Sequence, residues 1–180
     1  MHEEIIMAGF GGQGVMSMGQ LLAYAGMLED KEVSWLPSYG PEMRGGTANC
    51  SVIVSDDLVA SPIVTDATAV IIMNKPSLGK FQGVVIPGGS MFINSSLIDD
   101  RCSREDIDIY YIPANDVADE IGNNKVANMV MLGAYIKKTG IVSADSVIES
   151  LKKVLGSSKA HLIPINEEAL KRGAQFVEKK

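Results

Sequence analysis

Apolar positions near the start of the chain follow two spacings, one typical of strands and one of helices. A short apolar run at 4–8 leads into a glycine-rich segment at 9–14, after which apolar residues recur at helical spacing through 15–25. Residues 33–36 indicate a second strand, which Pro37 should end because proline has no amide to donate to a sheet. The pattern predicts an N-terminal βαβ unit of Rossmann-like type.

The rest of the chain continues to alternate between strands and helices. Residues 48–54 and 58–61 are interpreted as a hairpin around a turn at 55–57. Residues 67–73 are almost continuously apolar, a pattern typical of a parallel strand buried on both faces. The remaining predictions are a short helix at 77–81, strands at 84–86, 91–94 and 107–112, helices from Asn115 onward with an end at Thr139-Gly140 and a cap at Ser143, an edge strand at 162–163, and a last helix capped by Asn166.

Interleaved strands and helices predict an α/β fold, a layered sandwich with a mixed, mainly parallel sheet. The chain has 180 residues, of which 46% are hydrophobic and 21% charged. A chain of this size buries about 70% of its unfolded surface, which is enough for one core. With no internal repeat or linker in the sequence, we interpret 1–180 as a single domain.

Charge and cysteine content exclude several classes of protein. The formal net charge is -6, and the basic residues are scattered, so nucleic acid is not an expected partner. No apolar run approaches the length that crosses a bilayer and no signal peptide is apparent, so we expect a cytoplasmic protein that does not bind membranes. Cys50 and Cys102 are too far apart in sequence to form a metal-binding pair, and we interpret both as inert thiols.

The segment Gly9-Phe10-Gly11-Gly12-Gln13-Gly14 has the spacing of a dinucleotide-binding fingerprint and lies between a strand and the helix that it opens. Glycines there let a ligand approach the backbone, and the amides at the start of a helix attract an anion. The candidate cofactor-binding residues are therefore Gly9, Gly11, Gly12, Gln13 and Gly14.

Three interpretations of this segment stay open. Nicotinamide binding requires an acid at the end of the second strand, but Glu32 precedes that strand and Glu42 lies in the following loop. The glycines could instead allow close packing of the helix and present a flat surface to another chain. The third interpretation is a site for a phosphate-bearing ligand. A nucleotide-hydrolysing P-loop is excluded, because no Gly-Lys-Ser or Gly-Lys-Thr ends the loop.

A second segment, at 37–46, has no periodicity and is rich in glycine and proline. Ordered loops of this length are often functional. Arg44 can donate several hydrogen bonds from a planar fork to a carboxylate or a phosphate, although a local pair with Glu42 is the alternative. We expect a partner interface or a coenzyme A route at Tyr39, Gly40, Pro41, Glu42, Arg44, Gly45 and Gly46.

Together the two segments resemble the gamma subunit, or gamma domain, of 2-oxoacid:ferredoxin oxidoreductases. The resemblance continues through the blocks at 47–52 and 125–129, and so covers most of the chain. It implies a complex that oxidatively decarboxylates a 2-oxoacid such as 2-oxoglutarate to an acyl-CoA and reduces ferredoxin. The resemblance implies alpha, beta and delta subunits as partners, carrying thiamine diphosphate, magnesium and iron–sulfur clusters, with coenzyme A as the phosphate-bearing ligand; a dimer of the whole complex is compatible with it.

The residues agree that this chain is not itself the catalyst. A thiamine site needs a Gly-Asp-Gly upstream of an Asn-Asn pair, and Asn123-Asn124 has no such partner, so we interpret that pair as a loop or helix cap. His2 and His161 do not belong to any Ser/His/Asp or Cys/His set. The alternatives are a free-standing Rossmann-like dinucleotide-binding oxidoreductase, an indolepyruvate-type oxidoreductase subunit, and a binding module outside any enzyme complex.

Overall fold

The computed structural model describes residues 1–38 and 47–177, so most of the second candidate segment lies outside the described residues. The strands are β1 (His2–Phe10), β2 (Glu32–Ser38), β3 (Thr47–Ser55), β4 (Ala67–Ile72), β5 (Val85–Asn94) and β6 (Asp108–Ile112). The α-helices are α1 (Val15–Leu28), α2 (Lys75–Phe81), α3 (Ala114–Ile121), α4 (Ala127–Thr139), α5 (Ala144–Leu155) and α6 (Ile163–Ala174).

The strands form one sheet in the order β2-β3-β1-β4-β5-β6. β1, β4, β5 and β6 pair in parallel, whereas β3 is antiparallel to both of its neighbours, β1 and β2. The predicted α/β fold with a mixed, mainly parallel sheet is confirmed. Since β3 lies between β1 and β2, the N-terminal βαβ unit crosses over one strand before the chain rejoins the sheet.

Helices cover the two faces of the sheet unequally. Alternate residues of β1 project to opposite sides, so Ile5 and Met7 belong to a large core beneath α1, α3, α4, α5 and α6. Ile6 and Ala8 belong to a smaller core beneath α2. β4 is buried on both faces, as predicted, because it lies between two parallel neighbours and has a helical layer on each side.

Two glycines bring α4 and α6 close together. A methyl group at Gly133 would overlap the carbonyl oxygen of Leu170, and one at Gly173 would overlap that of Val130. Only glycine allows backbones to approach this closely. This contact holds α4 firmly over the sheet and so fixes the position of its first turn.

Some boundaries predicted from the sequence are wrong. No strand forms at 58–61, so β3 has β1 and β2 as neighbours and no hairpin partner there. The predicted strands at 84–86 and 91–94 are one strand, β5, whose register with β4 shifts between Ala67 and Ala69. β2 continues through Pro37, which an edge strand tolerates because one side of it makes no ladder bonds.

The C-terminal prediction also needs correction, whereas the helix caps are confirmed. Residues 162–163 end a 3₁₀ turn and begin α6, so Asn166 lies inside that helix instead of capping it. Ser143 caps α5 by accepting a hydrogen bond from the Ser146 amide, and Gly140 ends α4 in a left-handed conformation. Within the described ranges, no helix is long and apolar enough to cross a membrane.

Candidate functional site

The candidate site lies where the direction of the sheet connections reverses. α1 carries the chain from β1 toward β2 on one side, and α2 carries it from β4 to β5 on the other. The carboxyl ends of β1 and β4 therefore flank a crevice, and open α/β sheets bind their ligands at such a point. Residues 9–14, here called the glycine loop, form one wall of this crevice.

Backbone geometry explains the glycines of the loop. Gly12 has a φ of 90° and Gly14 a φ of 76°, a region that side chains other than glycine rarely adopt. At Gly9 the restriction is space, because an added Cβ would lie 2.6 Å from Gln13 Oε1 and 2.8 Å from Met73 Cβ. The loop thus turns sharply at two positions and packs tightly at a third.

Gln13 fixes the glycine loop to the neighbouring strand. Its Oε1 accepts a hydrogen bond from the Phe10 amide at 2.6 Å, and its Nε2 donates to the Met73 carbonyl at 3.2 Å. The backbone amide of Gln13 also donates to the Phe10 carbonyl at 3.2 Å. Both ends of one side-chain amide are satisfied, so the loop is held across the crevice between β1 and the end of β4.

Asn128 joins the glycine loop to α4. Its Nδ2 donates to the Gly14 carbonyl at 3.3 Å, and a Cβ at position 14 would lie only 2.5 Å from that nitrogen. Gly14 is the N-cap of α1 and supplies no side-chain acceptor to the first turn. Val126, the N-cap of α4, supplies none either. The start of α4 is partly satisfied in other ways, because Asn123 caps the 3₁₀ turn at 124–126 and Asn128 Oδ1 accepts a hydrogen bond from the Met129 amide at 2.9 Å. The starts of α1 and α4 nevertheless meet at the same crevice.

The crevice contains a small pocket of about 150 Å³. The carboxamide oxygen of Asn115 accepts a hydrogen bond from Asn94 Nδ2 at 2.7 Å, which leaves its nitrogen as the donor for another group. Lys125 is exposed and makes no ion pair with any residue in the described ranges. The lining residues are Gly12, Gln13, Met73, Asn115, Asn124, Lys125 and Ala127.

The charge of this pocket favours an anion. Its lining includes a lysine and no carboxylate, and the starts of α1 and α4 add positive ends of helix dipoles. Its volume suits a phosphate group, since pockets for whole drug-sized ligands and cofactors span about 300–1,000 Å³. The arrangement can therefore hold the phosphate of a ligand whose remaining part extends beyond the pocket.

The structure separates the roles of the glycine-loop candidates. Gly12 and Gln13 line the pocket, Gly9 is buried in packing against Gln13, Gly14 contacts Asn128, and Gly11 is exposed. The polar pocket residues that sequence reasoning did not select are Asn115, Asn124 and Lys125. Lys125 begins the block at 125–129 that carries part of the family resemblance, and a basic residue in that block is the signal that could have indicated it.

The position of Glu32 argues against nicotinamide binding. Glu32 pairs with Ser55 at the far end of the sheet, whereas the glycine loop lies beside the pair Phe10 and Thr47. β2 ends at Ser38 without an acid at its carboxyl end.

Sheet register brings the two sequence motifs to one end of the molecule. Thr47, which follows the second candidate segment, pairs with Phe10 at the edge of the glycine loop. Ser38, which precedes that segment, pairs with Asn49. The candidates Tyr39, Gly40, Pro41, Glu42, Arg44, Gly45 and Gly46 lie outside the described residues, but their two flanking strands reach the crevice end of the sheet.

Cys50 lies beneath the start of α1 and is fully buried. Burial raises the pKa of its thiol to about 12, and the Sγ atom donates to the Val15 carbonyl at 3.6 Å. An added Cβ at Gly19 would lie 2.5 Å from that sulfur, so the thiol fills a close contact between α1 and β3. Cys50 acts as a small buried residue, as predicted. In the described part of the chain, no three His, Cys, Asp or Glu side chains are grouped so as to hold a metal ion.

Comparison with known proteins assigns the family. A family model described as pyruvate ferredoxin/flavodoxin oxidoreductase matches residues 4–176. The chain belongs to this family. That assignment confirms the resemblance of the two sequence motifs, and the pyruvate ferredoxin/flavodoxin oxidoreductase match extends through α4 and α6 as well.

Relatives within the family differ in length. The chain is 39% identical to ketoisovalerate oxidoreductase subunit VorA of Methanothermobacter marburgensis, matching 96% of this chain and 36% of that protein. It is 33% identical to 2-oxoglutarate synthase subunit KorC of Methanocaldococcus jannaschii, matching 93% of this chain and 92% of that one. The chain thus spans about a third of VorA and nearly all of KorC.

A solved structure shows the same fold inside a longer chain. A chain of 2-oxoglutarate:ferredoxin oxidoreductase from Magnetococcus marinus, determined with 2-oxoglutarate, coenzyme A and succinyl-CoA bound, superposes with a TM-score of 0.90 at 23% identity. The match covers 99% of this chain and 31% of that chain. The family fold therefore occurs both as a short chain and as one part of a longer polypeptide.

Proposed function

We propose that this chain is the gamma-type subunit of a multi-subunit 2-oxoacid:ferredoxin oxidoreductase. Such a complex converts a 2-oxoacid and coenzyme A to an acyl-CoA and carbon dioxide and passes electrons to ferredoxin. The observation that carries the proposal is the match to KorC, a named subunit of 2-oxoglutarate synthase, over nearly the full length of both chains. The isolated chain is expected to be inactive, and the complex is expected to lie in the cytoplasm.

The redox cofactors of the complex are assigned to partner chains. Thiamine diphosphate, magnesium and iron–sulfur clusters belong on the alpha, beta and delta subunits, and ferredoxin meets the complex through those chains. The two thiols of this chain support this division, since Cys50 is buried beneath α1 and Cys102 lies in a separate region against Gln82. No cluster can form from thiols in those two places.

The crevice is proposed to hold a phosphate of coenzyme A. Lys125 would supply a charge, Asn115 and Asn124 would supply amide donors, and the starts of α1 and α4 would supply backbone amides. The segment containing Tyr39, Arg44 and its neighbouring glycines would dock a partner subunit or border the route of coenzyme A, because its flanking strands end beside this crevice.

We propose 2-oxoglutarate as the substrate of the complex, because the short relatives that match over their whole length are KorC chains. A second candidate is a branched 2-oxoacid, favoured by the higher identity to the ketoisovalerate oxidoreductase subunit VorA. Under either substrate, the pocket that recognises the side chain of the 2-oxoacid would lie on other subunits.

The test is activity of the complex assembled from this chain and the partner subunits encoded beside it. We expect 2-oxoacid-dependent and coenzyme A-dependent reduction of ferredoxin. Replacing Lys125 with alanine should raise the KM for coenzyme A by about 10- to 100-fold, because one charge-assisted contact contributes about 1.5–3 kcal/mol. Lys153→Ala is the matched control. It removes an exposed lysine from α5, no residue of which lines this pocket, and should leave the KM for coenzyme A unchanged.

Two results would count against the proposal. A complex that turns over equally well without this chain would remove the subunit assignment. A Lys125→Ala complex with the KM of the Lys153→Ala control would remove the crevice from the coenzyme A route and leave the subunit assignment in place.

A further inference from the structure

The segment 56–66, between β3 and β4, is attached to the core by two valines but also has large apolar side chains that are exposed to solvent. We call it the β3–β4 segment. Val64 is buried in the core beneath α2 and Val59 packs against the same core. Leu58, by contrast, is 87% exposed and Ile63 is 63% exposed, which are the two largest exposed fractions among the large hydrophobic side chains of the described residues.

These exposed residues belong to one mainly apolar stretch, 58–63, in which Ser61 is the single polar residue. Ala60 and Pro62 between them are also exposed, and the stretch contains no helix or strand. Single exposed apolar side chains are ordinary, but a group of them at one place marks a contact surface. The sequence pattern had suggested a strand at 58–61, and since no strand forms, sheet pairing does not account for these residues.

The charged side chains within the segment are all acidic. Asp57 and Asp66 are exposed, and neither makes an ion pair with any residue in the ranges described. Asp56 is already paired with Lys31 and with the N-terminal amino group. The segment 56–66 contains no lysine or arginine, so the apolar stretch has acidic residues at both of its ends.

The segment lies at the opposite end of the sheet from the crevice. It begins after Ser55, which pairs with His2 at the amino end of β1, whereas the glycine loop is at the carboxyl end of β1 beside Phe10. A contact made here is therefore separate from the crevice and from the proposed coenzyme A route.

We propose that the β3–β4 segment is a second docking surface, which binds a partner subunit through an apolar patch bordered by lysine and arginine. This inference rests on the proposed function, because it takes the partner from the same complex. Charge favours a different chain over a second copy, since two copies would bring Asp57 and Asp66 against the same acids in a protein of net charge -6.

The experiment measures assembly of the complex from purified wild-type partners and variants of the full chain. Leu58→Asp/Ile63→Asp should weaken association by at least about 100-fold, since binding would then bury two carboxylates without partners in an apolar contact. The matched control is Met27→Asp/Val154→Asp, which places the same charges at apolar residues that are 57% and 45% exposed on α1 and α5. The control should assemble within about threefold of wild type, as expected for residues outside an interface.

A second variant tests charge complementarity without altering the apolar stretch. Asp57→Lys/Asp66→Lys should slow association about tenfold at low salt, with the difference shrinking as salt is raised. This variant also keeps the proposal testable if Leu58→Asp/Ile63→Asp lowers the melting temperature of the free chain.

The outcomes separate the two proposals. Failure of the wild-type chain to bind the partners would overturn the proposed function and this inference together. Wild-type binding with equal binding by both segment variants would overturn this inference alone. Self-association of the wild-type chain that the segment variants abolish would identify a second copy as the occupant and would also overturn it.

Discussion

Replacing Gly14 with alanine tests the packing that joins the glycine loop to α4. Gly14 has a φ of 76°, which disfavours alanine by about 1–2 kcal/mol. Its added Cβ would also lie 2.5 Å from Asn128 Nδ2 and 2.9 Å from Asn128 Cγ. Overpacking of this kind adds about 1–3 kcal/mol, so we expect Gly14→Ala to lower the free energy of unfolding by about 2–5 kcal/mol.

Two companion variants separate these contributions. Gly12 has a φ of 90°, but nothing lies within 4 Å of a Cβ placed there, so Gly12→Ala should cost only the backbone part, about 1–2 kcal/mol. Gly14→Ala made in an Asn128→Ala background should cost close to the same 1–2 kcal/mol, about the backbone part alone, because the two closest contacts, with Asn128 Nδ2 and Cγ, are gone and only the Asn128 Cβ remains, at 3.3 Å. The coupling between positions 14 and 128 should therefore be about 1–3 kcal/mol.

Urea unfolding of the full chain, followed by the fluorescence of its single tryptophan, Trp35, measures these differences. If Gly14→Ala costs no more than Gly12→Ala, the contact with Asn128 does not constrain the loop. The same conclusion follows if Asn128→Ala fails to relieve the Gly14→Ala variant. Either result would refute the packing on which the shape of the crevice depends.

Two further predictions concern ionisable groups. Burial raises the pKa of Cys50 to about 12, so alkylation of the native chain at neutral pH should modify Cys102 and spare Cys50. Mass spectrometry of the peptides measures which cysteine is labelled. Rapid labelling of Cys50 would contradict its burial beneath α1. Hydrogen bonds from Lys31 and from the N-terminal amino group lower the pKa of Asp56 from 3.8 to about 2, so this carboxylate stabilises the fold above its unfolded pKa and the contribution is lost as pH falls toward 2. Asp56→Asn should therefore make stability less dependent on pH over that interval, and unchanged pH dependence would refute the pairing.

Local patterns in the sequence predicted those elements in which the spacing of apolar residues matches the spacing of buried positions in the structure. The order of strand, glycine loop and helix follows from apolar spacing and from the two positive φ angles that glycine allows. Residues 67–73 have few polar positions because β4 is covered on both faces. Ser143 and Gly140 were recognisable because caps depend on neighbouring residues alone.

Features that depend on distant contacts were not predictable in this way. The insertion of β3 between β1 and β2 depends on long-range pairing, for which the local pattern carries no signal. The strands predicted at 84–86 and 91–94 are one strand, because β5 passes through Gly88 and Gly89 with an irregularity in its register with β4. The apolar residues of 58–61 resemble a strand, but no strand forms there: Leu58 and Ala60 are exposed, and Val59 packs against the core beneath α2.

The pocket illustrates the same limit. Asn115 lies in the first turn of α3 and Lys125 lies in the 3₁₀ turn at 124–126, between α3 and α4. Both reach the glycine loop only because α3 and α4 fold back over the carboxyl ends of the parallel strands. Neither residue belongs to a motif with a fixed spacing from the glycines. The sequence therefore predicts the wall of the crevice that the glycine loop forms between β1 and α1. The opposite wall, which contains Asn115 and Lys125, is visible only in the structure.

Native mass spectrometry of this chain, isolated by affinity purification from the organism that encodes it, tests the central claim most directly. The account predicts an assembly in which the chain is bound to partner chains that carry thiamine diphosphate and iron–sulfur clusters. Recovery of the chain only as a free species, or of a chain that alone oxidises a 2-oxoacid, would contradict it.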